Sequence, residues 1–105
     1  MTQKERREVT DKIMSWCERT PGVWALKVHA DAAQGTGIPD IIGCDGGTFW
    51  ACEAKRPGEK PTRIQRHTLE KIQRSGGLAF VAHSLEEFLE ALGREEEDAE
   101  GGIQE

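Results

Sequence analysis

Two acids and a lysine stand in a frame that can form a metal-dependent phosphodiester-cleaving site. Asp40 ends the run Gly37-Ile38-Pro39-Asp40, and Glu53-Ala54-Lys55 follows after twelve intervening residues, with Gly46-Gly47 between them. Hard divalent cations such as Mg²⁺ or Mn²⁺ prefer carboxylate, carbonyl and water oxygens, so paired acids are the residue types to expect.

The geometry of this frame can be derived. Residues 40–45 and 48–54 are short apolar runs separated by two glycines, and Gly-Gly is a favoured two-residue hairpin turn because both positions tolerate positive φ. With 46 and 47 as the turn, Asp45 faces Thr48 and Asp40 falls opposite Glu53. Opposed residues share a face of the sheet, and Lys55, two residues beyond Glu53, joins them. Two carboxylates so placed repel, and a hard cation turns that liability into a ligand pair.

Basic residues gather immediately downstream. From Lys55 to Arg74 there are seven (Lys55, Arg56, Lys60, Arg63, Arg66, Lys71 and Arg74) against Glu59 and Glu70. Beside the acidic frame we read this segment, with His67, as contacting a phosphate backbone rather than as a solvated helix face. The overall charge of −5 obscures this. Residues 94–105 alone carry a net −5, so residues 1–93 balance at zero. That acidic stretch, with Gly101-Gly102 and one large apolar residue, Ile103, reads as a disordered tail on a domain spanning residues 1–93.

The elements that must position the frame follow from periodicity and punctuation. Val9, Ile13, Trp16 and Cys17 recur on one face of a helix over residues 5–19, stopped by Thr20-Pro21-Gly22. Residues 23–29 form a first strand, and a polar segment, Ala30 to Gly37, leads to the hairpin. Arg56 to Pro61 is a loop. Thr62 caps a helix running to about Ser75, ended by Gly76-Gly77. Leu78 to Ala82 is a short buried strand, and Ser84-Leu85-Glu86-Glu87 is a capping box opening a last helix through Leu92, stopped by Gly93. The order α-β-β-β-α-β-α implies one α/β domain: a small mixed β-sheet flanked by helices.

Several classes are excluded or disfavoured. No apolar run is long enough to span a bilayer, and the opening Met-Thr-Gln-Lys-Glu-Arg-Arg-Glu lacks the apolar stretch of a secretory signal, so a cytoplasmic protein without membrane contact is expected. Cys17, Cys44 and Cys52 are odd in number, and the hairpin register points Cys44 and Cys52 to opposite faces, so free thiols are expected. No CxxC or HxxxH spacing supports zinc. No G-x-x-x-x-G-K-[ST] loop supports a nucleotide cofactor. Trp16, Trp24 and Trp50 read as core or subunit contacts, with Trp50 on the hairpin face opposite the acids.

Gly37-Ile38-Pro39-Asp40, Glu53-Ala54-Lys55 and Gln65 within an αβββαβ order resemble the PD-(D/E)XK nuclease superfamily, and more closely its VRR-NUC domain, the virus-type replication-repair nuclease. The resemblance spans roughly residues 5–90. It implies a restriction-endonuclease-like αβββαβ core with an added C-terminal helix, and a nuclease that hydrolyses DNA with Mg²⁺ or Mn²⁺. Asp40, Glu53 and the Ala54 backbone carbonyl match the metal ligands, and Lys55 matches the lysine that positions the attacking water or stabilises transition-state charge. Gln65 matches a glutamine of the active-site helix, and it shares a helical stripe with Leu69 and Ile72. Glu8 fits the family's first-helix glutamate, which meets the metal directly or through water. Helical geometry competes with that choice, because Glu5 lies closer to the centre of the apolar stripe.

Arg56, Lys60, Arg63, Arg66 and His67 are the residues expected to hold DNA. Stand-alone members of the family pair as homodimers resembling Holliday-junction resolvases, so structure-selective cutting by a homodimer is expected. A flap- or end-directed or restriction-type nuclease is the alternative within the class. A non-catalytic nucleic-acid-binding module that retains the fold is the alternative outside it.

Overall fold

The computed structural model describes residues 3–29 and 37–100. Most of the polar segment preceding the hairpin, and the last five residues of the acidic tail, lie outside the described residues. Four strands form one mixed sheet in sequence order: β1 (Val23–Lys27), β2 (Ile41–Asp45), β3 (Thr48–Ala54) and β4 (Leu78–Ala82). The β1–β2 and β2–β3 pairs are antiparallel, and β3–β4 is parallel, as a helical crossover requires. The helices are α1 (Gln3–Arg19), α2 (Arg63–Arg74) and α3 (Leu85–Leu92). This is the α/β order read from the sequence. Among the described residues no helix is long and apolar enough to cross a membrane.

The two faces of the sheet are unequal because alternate residues of each strand face opposite ways. Ile41, Trp50, Cys52 and Ala54 point to one side, where α1 and α3 cover them with Ile13, Trp16, Phe88 and Leu89. Phe88 is the centre of that layer, edge-on to Trp50 at 5.0 Å and to Trp16 at 5.9 Å. Each such aromatic pair adds about 0.5–1.5 kcal/mol beyond the area it buries. On the other side α2 packs a smaller cluster of Leu69 and Ile72 against Ala51, Ala79 and Val81. Helix α2 lies mainly over β3 and β4, and on β1 Trp24 and Leu26 stay exposed.

Gly43 shows how tightly β2 is held. An added Cβ there would collide with the Trp24 carbonyl and the Trp50 ring. Cys17 and Cys52 are buried, Cys44 is half-buried, and all three are free thiols. Burial pushes the Cys17 thiol up to about 12.

The acidic tail departs from expectation. Residues 94–100 do not peel away at Gly93 but pack on the body. Arg94 makes a bidentate pair with Asp45 at the hairpin turn, its Nε and terminal nitrogen donating at 3.1 and 2.7 Å. The Trp16 indole donates to the Glu96 carbonyl at 3.3 Å, and the Glu100 N–H donates to the Arg19 carbonyl at 2.6 Å. Ala99 is 4% exposed and belongs to the main core. Composition misled here, because one arginine and one alanine anchor a segment that otherwise reads as solvated. A chain ending at Gly93 should therefore unfold at lower urea, by about 2–4 kcal/mol for the lost ion pair, indole bond and core cover. An unchanged midpoint would mean that residues 94–100 add nothing to the fold.

Candidate active site

Asp40 and Glu53 meet at the end of the hairpin away from its turn. The observed register pairs Asp45 with Thr48 and Ile41 with Cys52, and one step further along it Asp40 stands across from Glu53. Two backbone bonds set the Asp40 residue: Val28 N–H donates to its carbonyl at 2.8 Å, and its Oδ2 accepts from Ala54 N–H at 3.0 Å. Gly37 brings the segment leading into Asp40 against the start of α2. Its φ is +80°, and a Cβ there would collide with Ile64, whose carbonyl oxygen would be only 3.1 Å away. Lys55 follows directly, buried at 4% exposure, with its N–H donating to Ala82 at 3.0 Å.

Electrostatics make the pair unusual. Glu53 is 1% exposed. Burial first, and then hydrogen bonding and repulsion from Asp40, push its carboxyl up to about 8, against the opposing pull of Lys55 and Arg6. At neutral pH and without a cation, Glu53 therefore keeps its proton. Three buried side-chain polar atoms among the described residues lack a hydrogen-bond partner, and two of them are Glu53 Oε2 and Arg6 Nε. A buried carboxylate oxygen with no partner, beside a second carboxylate, is a donor set that suits a hard divalent cation.

Arg6 is a site residue that the sequence reading missed. An acid was expected there, yet at 100° per residue Arg6 lies closer to the centre of the Val9-Ile13-Trp16-Cys17 stripe than Glu5 or Glu8. Its guanidinium donates to Glu59 Oε2 at 2.7 Å. Glu59 also accepts from the Arg56 N–H at 3.1 Å and from the Arg56 side chain at 3.3 and 3.4 Å. The Arg56 N–H first, then the Arg56 and Arg6 side chains, hold the Glu59 carboxyl down at about 2. The Glu59 carbonyl faces His83 Nε2 at 2.7 Å, while His83 Nδ1 faces Glu87 Oε1 at 2.9 Å. The loop after Lys55 is thus strapped to α1 and to the end of β4 through one residue. Its sequence signal was a lone acid in a basic stretch.

Other expected residues are placed differently. Glu8 is exposed and lines the groove between α1 and α3, beside Pro57 and His83. Among the described residues no three acids, histidines or cysteines converge as a metal-holding group. Glu5 lines the same groove as Glu8. Gln65 sits at the third position of α2, where its side-chain oxygen accepts from Thr62 N–H at 2.8 Å and Thr62 Oγ1 accepts from Gln65 N–H. That capping box engages the carboxamide assigned to the active site. The box expected at Ser84 is only half formed, because Glu87 returns to His83 N–H rather than to Ser84. Of the residues expected to hold a phosphate backbone, Lys60, Arg63, Arg66 and His67 are exposed, and Arg56 is bound to Glu59.

A solved structure described as "VRR_NUC domain" matches with a TM-score of 0.56 over 87% of this chain and 89% of that one. The chain has the VRR-NUC fold. Sequence identity to that structure is 22%, and neither a family model nor a curated protein matches. On the VRR-NUC fold seen here, the carboxylate pair stands on the sheet face that carries α2.

The raised Glu53 carboxyl has a consequence for stability. A carboxyl whose folded value exceeds its unfolded value stabilises the fold fully at low pH and loses that contribution as pH rises, here between about 4.5 and about 8. Without metal, Glu53→Gln should therefore gain stability relative to wild type between pH 4.5 and pH 9, by on the order of 5 kcal/mol for a rise from 4.5 to about 8 at about 1.4 kcal/mol per tenfold in proton affinity. Urea unfolding at pH 4.5 and 9 checks it, and parallel curves for the two proteins would refute it. His83 behaves similarly at higher pH. The Glu59 carbonyl and then Glu87 raise its pKa above the ordinary value, so its contribution is present below about 6.5 and fades as pH passes the raised value. An imidazole titration by NMR should move back toward the ordinary range in Glu87→Gln.

Proposed function

We propose that this protein is a divalent-metal-dependent nuclease that hydrolyses DNA phosphodiester bonds. The observation that carries the reading is the pairing of half-buried Asp40 with buried Glu53, with an unpartnered Glu53 oxygen and the buried Lys55 beside it. Asp40, Glu53 and the Ala54 carbonyl are the groups that would hold Mg²⁺ or Mn²⁺. When bound, such a cation supplies Lewis acidity and lowers the pKa of coordinated water. Lys55, fixed through its own N–H to β4, is the cation that steadies charge developing on the phosphoryl oxygens. Lys60, Arg63, Arg66 and His67 present an exposed basic surface that would carry the strand past the pair.

The reading extends to structure-selective cutting by a homodimer acting in the cytoplasm. β1 is an edge strand whose Trp24 and Leu26 are 56% and 48% exposed, a surface that a second copy would cover. No element of the described chain resembles a base-reading module, which favours recognition of DNA shape over sequence. A non-catalytic module retaining the fold is the competing reading, favoured by the capped Gln65 and by the exposure of Glu8.

Cleavage of labelled four-way junctions, flaps and linear duplexes with Mg²⁺ or Mn²⁺ decides between them. Wild type should cut, and Lys55→Ala should be slower by about a hundredfold or more. Equal cutting by both would remove Lys55 from the chemistry, and no cutting of any substrate by wild type would favour the non-catalytic module.

A further inference from the structure

The face of the sheet that α2 leaves partly uncovered holds a groove of about 590 Å³, floored by Ile38, Phe49 and Ile72 and edged by His67 and Lys71. Phe49 is 43% exposed. Gly77 keeps the floor open, since a Cβ there would stand 3.0 Å from Ile72 and 3.1 Å from the Phe49 ring. The groove therefore offers an aromatic surface beside cations, on a helix that bears Arg63, Arg66, Lys71 and Arg74 against Glu70 alone. Its occupant should be flat, apolar on its face and attached to negative charge.

We propose that this groove seats an unpaired nucleobase on Phe49, with Lys71 and His67 meeting the phosphate of the same nucleotide. The proposal rests on the nuclease reading, because Ile38 lies two residues before Asp40, and Phe49 shares a strand face with Glu53 four residues away. At about 3.3 Å per strand residue that separation is about 13 Å. It corresponds to about four nucleotides of stacked strand, and fewer if the strand is extended. Stacking on an aromatic ring tolerates any base, whereas a base inside a duplex reaches such a ring only by leaving its own stack. The groove thereby selects substrates that carry an unpaired stretch near the bond to be cut.

The test is binding in EDTA, so that it does not depend on cleavage. Single-stranded DNA carrying 2-aminopurine, and the same sequence as duplex, are titrated with wild type, Phe49→Leu, Phe49→Trp and Lys71→Ala. Wild type should change 2-aminopurine fluorescence in the single strand. Phe49→Leu should weaken single-strand binding by about five- to a hundredfold, the worth of one base–aromatic stack, and shift duplex binding less than about twofold. Phe49→Trp should retain it, and Lys71→Ala should flatten its salt dependence. Unchanged single-strand binding by Phe49→Leu would overturn the proposal, as would equal losses on both DNAs. So would a switch from dimer to monomer without a change in fluorescence, which would give the groove to a second copy. Failure of the nuclease reading shows separately, as base-dependent binding without metal-dependent cleavage.

Discussion

The β2–β3 hairpin brings Asp40 and Glu53 face to face where hydration is poor, and like charges so placed repel. The pair lies together with a raised proton affinity at Glu53 and with Asp40 accepting the Ala54 N–H. The arrangement costs stability in the metal-free protein at neutral pH, and a divalent cation would reverse the sign of that term. Much of the remaining structure fixes this encounter. The Gly46-Gly47 turn sets the register, Gly37 lets the segment before Asp40 lie against α2, and a backbone bond from Lys55 to Ala82 continues the β3–β4 pairing.

The surroundings of the pair are arranged by side chains of a different kind. Glu59 gathers Arg6 from α1, Arg56 from its own loop and His83 from the end of β4. Three elements distant in sequence therefore close around one carboxylate and one carbonyl. Arg6 lies near enough to Glu53 to oppose its raised proton affinity, so this strap and the carboxylate pair are electrostatically joined. A change at Glu59 would be felt at the pair without touching it.

Local rules made the elements and the hairpin legible in the sequence. The register that placed Asp40 across from Glu53 needed only a two-glycine turn and the period of two, and each helix ended near its glycines. The site was legible as far as that register reached. Glu8, Gln65 and the tail depended on tertiary placement, or on competition between two uses of one side chain. Thr62-x-x-Gln65 fits the capping-box pattern, and the backbone claimed the glutamine that the family resemblance assigned to chemistry. Arg6 was overlooked because an inward-facing residue of the first helix was expected to be an acid. Residues 94–100 were overlooked because a segment rich in acids can still be pinned by Arg94 and Ala99.

On the proposed function, the Asp40–Glu53 pair would hold a divalent cation, and the raised proton affinity of Glu53 means that a proton would leave as the cation binds. Metal binding to such a pair must release that proton. Calorimetric titration of Mn²⁺ into the protein at pH 7, in buffers of different ionisation enthalpy, reads the release directly. About one proton per bound Mn²⁺ is expected, with release lost in Glu53→Gln and binding weakened in Asp40→Asn. Absence of Mn²⁺ binding, or binding without proton release that both variants retain, would contradict the account.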